Sequence, residues 1–130
     1  MPQITGILET ALYVKDIDRA EKFYQQVLGL KTYSKATSRH VFFKIGKTML
    51  LLFNARETRQ SDTVPPHGTE GEGHAAFAVK HGELDAWRKK LQAQNVPIEM
   101  EITWPSGGKS IYFRDPDGNS LELATPDTWP

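Results

Sequence analysis

The sequence predicts an α+β protein: two βαβββ modules forming a cup-shaped mixed sheet with helices on the outside. Three observations predict it. The strand-like segment Glu9-Thr10-Ala11-Leu12-Tyr13-Val14-Lys15 returns as His74-Ala75-Ala76-Phe77-Ala78-Val79-Lys80, and self-similarity of this kind marks repeated supersecondary units. Each copy is followed by a helical pattern and then by three strand-like runs. The last two runs of the second copy flank Asp115-Pro116-Asp117-Gly118. There Pro116 presets φ, Asp117 tolerates the next turn position and Gly118 accepts positive φ, so the pair reads as a β-hairpin.

The elements follow in order. Ile7 to Val14 alternates as a strand whose faces are Ile7, Glu9, Ala11, Tyr13 and Leu8, Thr10, Leu12, Val14. Asp16 reads as an N-cap, Ile17, Ala20, Phe23, Tyr24, Val27 and Leu28 recur at helical spacing, and Gly29 stops the helix. Leu30 to Ser34, Val41 to Ile45 and Thr48 to Phe53 are the next strands, with a Gly46-Lys47 turn between the last two. The segment from Asn54 to Gly73 is polar and rich in Pro, Gly and Thr, and reads as a linker or functional loop. His74 to Val79 opens the second copy. Leu84, Trp87 and Leu91 line a helix ended by Asn95 and Pro97, and Phe23, Trp87 and Phe77 read as core packing. Ile98 to Trp104 alternates as a half-buried strand, and Ser110 to Ala124 forms the hairpin. This gives one domain over 1–130: module one at about 5–55, a linker at 56–72 and module two at 73–126.

Composition excludes several functions. Sixteen basic and sixteen acidic residues leave no net charge, so no nucleic-acid or membrane partner is expected. The absence of cysteine removes disulfide, thiolate and redox chemistry. No apolar run spans a bilayer and no secretory signal opens the chain, so the expected location is cytoplasmic.

The chemistry sits in small-residue surroundings. Glu122 stands between Ser120 and Ala124 on a strand whose other face carries Leu121 and Leu123. A carboxylate buried there without a partner costs several kcal/mol or stays protonated, whereas at a wet strand edge it needs no explanation. Glu9 is a second carboxylate on a largely apolar strand. His74 shares a face with Ala76 and Ala78 and reads either as a ligand or as a histidine bonded to backbone. His40, His67 and His81 read as surface residues, with His67 able to reach the cup from its loop as the lesser reading. Arg39, Lys109 and Arg114 read as surface charge.

Phe113-Arg114-Asp115-Pro116-Asp117-Gly118-Asn119-Ser120-Leu121-Glu122-Leu123 resembles the last hairpin of the vicinal oxygen chelate superfamily, which includes glyoxalase I, bleomycin- and fosfomycin-resistance proteins and extradiol dioxygenases. With the repeat, the resemblance covers about Ile7 to Pro126. It implies a homodimer and a divalent metal ion (Zn, Ni, Mn, Fe or Co) held by Glu9, His74 and Glu122. Leu50, or Leu52 on the same face, takes the fourth ligand position of glyoxalase I. It also implies Lewis-acid chemistry on a small oxygen-chelating substrate, of lyase or isomerase type, with Glu9 or Glu122 as base. Tyr13, Thr48 and Tyr112 are assigned to the ligand-bearing faces as substrate contacts. The alternatives are a metal-free protein that sequesters a small molecule, as bleomycin-resistance relatives do, and a dioxygenase, which Glu-His-Glu fits poorly. Thiol transfer to an epoxide lacks a basic phosphonate-binding cluster.

Overall fold

The computed structural model describes residues 1–129 and divides into two compact units, Met1–Glu70 and Gly71–Pro130. The boundary falls inside the polar segment that separates the two copies of the repeat.

The first unit runs β1 (Glu9–Tyr13), α1 (Ile17–Leu28), β2 (Thr32–Ala36), β3 (His40–Ile45) and β4 (Thr48–Phe53). Its sheet has the order β1-β4-β3-β2, with β1 parallel to β4 and the other pairs antiparallel. The helix starts where Asp16 accepts a hydrogen bond from the Arg19 amide, and ends at Gly29 in the left-handed region, φ 69°. Register decides which side chains the helix covers. Leu12, Val41, Phe43, Leu50 and Leu52 share one face and are buried, and Tyr24 of α1 stacks on Phe43 with centroids 5.8 Å apart. Glu9, Ala11, Tyr13, Leu51 and Phe53 share the other face. The polar segment is not wholly irregular, because Asn54 caps a single turn, α2 (Ala55–Thr58).

The second unit repeats the plan with β5 (His74–Ala78), α3 (Leu84–Ala93), β6 (Met100–Thr103), β7 (Lys109–Arg114) and β8 (Ser120–Ala124), in the sheet order β5-β8-β7-β6. Leu121, Leu123, Ile111 and Phe113 bury one face. Arg88 of α3 donates to Glu101 of β6, which faces the same way as Ile111. The opposite face carries His74, Ala76, Ser110, Tyr112 and Glu122. Phe23, Phe77 and Trp87, expected in the core, are each partly exposed. Trp87 instead offers its ring to the Lys90 ammonium, 5.3 Å from the centroid.

The turn between β7 and β8 positions the start of β5. Gly118 has φ +84°. Asp115 accepts from the amides of Asp117 and Asn119, and the buried Asn119 side chain donates to Asp115 while accepting from the Gly73 amide at 2.7 Å. That last bond clamps the residue before His74 to the start of β8. Asn119→Ala removes the side-chain bonds to Asp115 and to the Gly73 amide. It is expected to lower stability by about 1–3 kcal/mol, read as a lower urea midpoint with an unchanged slope.

Candidate functional site

The parallel pairing of β5 with β8 sets His74 opposite Ser120 and Ala76 opposite Glu122. Paired residues share a face, so imidazole and carboxylate lie on the same side of the sheet, one strand apart. The His74 Nδ1 is 2.9 Å from the Ser120 carbonyl oxygen. A carbonyl only accepts, so Nδ1 carries the proton and donates. In the neutral ring Nε2 then presents a lone pair, and it faces Glu122 Oε1 at 3.3 Å. Two electron-pair donors turned toward one another need a cation or a proton near them.

Glu122 is 7 % exposed. Its second oxygen, Oε2, accepts a 2.5 Å hydrogen bond from the Ser110 hydroxyl, short as expected for an ionised acceptor. Ser110 in turn accepts from the Trp104 indole N–H at 2.8 Å. Neither residue stood out in the sequence. The signal for Ser110 was a small polar residue next to a run of strand formers, but only the hairpin register brings it beside Glu122.

Tyr112 pairs with Glu122 across β7 and β8, and its ring lies against His74, centroids 6.4 Å apart and 22° from parallel. Burial first, and then the Glu122 charge, raise its phenol pKa above the usual tyrosine value. The phenol therefore remains a hydrogen-bond donor at neutral pH.

The structure thus brings together two of the three expected ligands, with Tyr112 beside them. Among the described residues no group of three His, Cys, Asp or Glu side chains is placed to hold a metal ion. Glu9 belongs to the first unit, where it pairs with Met49 as His74 pairs with Ser120. The same register corrects two expectations. The position matching Glu122 is Leu51, two residues beyond Met49, and not Leu50 or Leu52, which face α1. Thr48 lies on the Leu50 face, opposite to Glu9, and its hydroxyl donates to the Ile45 carbonyl. Tyr13 does share the Glu9 face.

His67 is not a bare surface residue. Its Nδ1 lies 2.7 Å from the Tyr13 hydroxyl and its ring meets Phe53 edge-on at 4.7 Å, which folds the polar segment back over the first sheet. His40 is half-buried on Phe42 beside Arg39, and burial lowers its pKa more than that neighbouring cation does. His81 pairs with Asp127 at 2.7 Å, and Arg114 with Glu72 and Glu99.

A cavity of about 600 Å³ opens on the face of the second sheet that carries His74, Tyr112 and Glu122, with all three in its wall. That volume is in the range of small-molecule sites. Among the described residues no helix is long and apolar enough to cross a membrane.

Comparison with known proteins agrees with this architecture. The model of the Glyoxalase/Bleomycin resistance protein/Dioxygenase superfamily matches residues 6–123. The crystal structure of a lactoylglutathione lyase from Agrobacterium tumefaciens is 42 % identical, with a TM-score of 0.93 over 98 % of both chains. A metallothiol transferase FosB from Shouchella clausii is 33 % identical, over 94 % of this chain and 81 % of that protein. A glutathione transferase FosA from Serratia marcescens is 30 % identical, over 86 % and 74 % respectively.

Two outcomes test this description. Glu122→Gln removes the charge but not the burial around Tyr112, so its phenol should titrate closer to, yet still above, the usual tyrosine value of about 10. Folding raises this pKa. The contribution to stability is therefore complete below the ordinary value and is lost as pH rises through the raised one. Absorbance titration against Tyr112→Phe isolates the transition. Ser110→Ala should leave the buried Glu122 Oε2 without its donor and lower stability by about 1–3 kcal/mol. Ser110→Thr, which keeps the hydroxyl, should recover most of that loss in urea unfolding.

Proposed function

Since the chain belongs to the Glyoxalase/Bleomycin resistance protein/Dioxygenase superfamily, we propose that it is a metal-dependent enzyme of lyase or isomerase type acting on a small substrate that chelates through two oxygens. The observation that carries this reading is the pair of facing electron-pair donors, His74 Nε2 and Glu122 Oε1, 3.3 Å apart. Two donors each about 2.1 Å from one cation can adopt that separation. Neutral imidazole with carboxylate suits a first-row divalent ion. Glu9, at the position of the repeat that matches His74, is the third ligand in this proposal, contributed by the same chain or by a second copy in a homodimer.

A divalent cation held there supplies Lewis-acid stabilisation of oxyanion or enolate charge. The protein's own groups do the rest. The Ser120 carbonyl fixes the His74 tautomer, as supporting partners of metal-bound histidines do. Ser110 holds one Glu122 oxygen and leaves the other turned toward His74. Tyr112 keeps its proton and can donate it in a hydrogen bond to a substrate oxygen. Glu9 is the carboxylate available to take a proton next to a substrate carbonyl if it is not itself a ligand.

The similarity to a lactoylglutathione lyase over nearly the whole chain favours lyase chemistry. Thiol transfer is the second reading, favoured by the FosB and FosA relatives. Against it, among the described residues no Lys or Arg lines the cavity to hold a strongly anionic substrate.

Elemental analysis of protein purified without chelator should find about one divalent ion per chain. His74→Ala should lose it while the far-UV spectrum and unfolding midpoint stay near the parent values, since the ring is half-exposed. In Glu9→Gln, loss of metal marks a ligand, and retained metal with lost turnover marks a base. Wild-type protein that neither carries nor takes up metal would leave sequestration of a small molecule as the function.

A further inference from the structure

The cavity is much larger than a pair of chelating oxygens requires, and its wall shows what else it accommodates. Thr125 and Thr128 reach the wall, and its strongest polar groups gather at one end, where His74, Tyr112 and Glu122 meet. Next to them, Ala76 pairs with Glu122 and Ala78 with Ala124 across β5 and β8. Three methyl groups therefore form a shallow floor where longer side chains would fill the space. Trp104 and Trp129 stand at the sides. The Trp104 indole N–H is already committed to Ser110, so the ring offers a ligand only apolar surface. Trp129 is 86 % exposed, a large aromatic surface that gains free energy when covered.

The aromatic wall at the C-terminal end is built into the fold. Residues Pro126–Thr128 form a 3-10 turn. Gly108 lies against it so closely that a Cβ would come within 2.5 Å of the Thr128 backbone. Asp127 is tied to His81 at 2.7 Å and to the Thr125 hydroxyl at 2.6 Å.

Charge sets the remaining limit. Among the described residues no Lys or Arg lines the cavity. Arg114, on the same face of β7 as Tyr112, is engaged with Glu72 and Glu99. The carboxylate in the wall, Glu122, is matched by the cation proposed beside it, and among the described residues the wall holds no other carboxylate, ammonium or guanidinium group. An anionic substituent would thus leave water for a space without a counter-ion.

We propose that the substrate carries a flat, uncharged apolar group, an aromatic ring or its equivalent, attached to its oxygen-chelating head and seated between Trp104, Trp129 and the alanine floor. This rests on the metal-site reading for the head alone. The ring is placed by the wall.

The test uses three probes with one chelating head. Benzohydroxamic acid has the ring, acetohydroxamic acid has a methyl group in its place, and 4-carboxybenzohydroxamic acid adds a negative charge to the ring. Each is titrated calorimetrically into the full-length protein with its metal content measured before and after. Benzohydroxamic acid should bind roughly tenfold or more tighter than either other probe. Ala78→Leu, which fills the floor, and Trp129→Ala, which removes a side, should each reduce that preference at least severalfold without changing metal content. Equal affinity for the ring and methyl probes, tighter binding of the carboxylated probe, or a preference untouched by both variants would overturn the proposal even in protein that holds its metal. A ring preference that persists in protein shown to take up no metal would keep the proposal and reject the metal reading.

Discussion

The parallel register of β5 and β8 is the constraint on which the site depends. It sets His74 against Ser120, so that the backbone carbonyl of Ser120 accepts a hydrogen bond from Nδ1–H. It also sets Glu122 two residues further on, so its carboxylate meets Nε2. A slip of one residue would turn Glu122 toward the apolar side that holds Leu121 and Leu123. The clamp from Asn119 to the Gly73 amide guards that register at its first residue. The turn chemistry of Asp115 to Asn119 and the chemistry of the site are therefore one piece of construction.

The same face is polarised along its length. Around Glu122 the hydrogen bonds are directed and nearly dry, from Trp104 through Ser110 to the carboxylate. Away from it the wall is mostly alanine and aromatic, with Thr125, Pro126 and Thr128 completing it. A carboxylate held among apolar groups interacts more strongly with a nearby cation than it would in water. The apolar wall and the charge at its end thus support each other: one excludes water, and the other supplies the interaction that exclusion strengthens.

Duplication has left the two units alike in plan and different in chemistry. Glu9 and His74 hold matching first-strand positions, but the matching positions on β4 and β8 are Leu51 and Glu122. In the first unit Tyr13 meets His67, and Phe53 lies beneath the Arg39 guanidinium. In the second unit the donor pair lies in the wall of a cavity. Tertiary contacts of identical topology have been refilled with different side chains, which is why a repeat in sequence does not imply two sites.

Much of the fold was legible because it is local. The period-two alternation of Glu9 to Tyr13 and His74 to Ala78, the Asp16 cap, the Gly29 stop and the Asp115 to Gly118 turn are set by residues near each other in the chain, and each appears where the sequence put it. Residue identity also marked Glu122 as a carboxylate needing a partner. What the sequence could not decide was anything that turns on register or on long-range contact. Thr48 fell on the helix side and Leu51 took the position expected of Leu50, because one residue of offset exchanges the faces of a strand. Trp104, Ser110 and Trp129 joined the site, and His67 reached Tyr13, across separations that no periodicity encodes. Chain-local stereochemistry wrote the elements, and only their packing into sheets chose which atoms of His74 and Glu122 would meet.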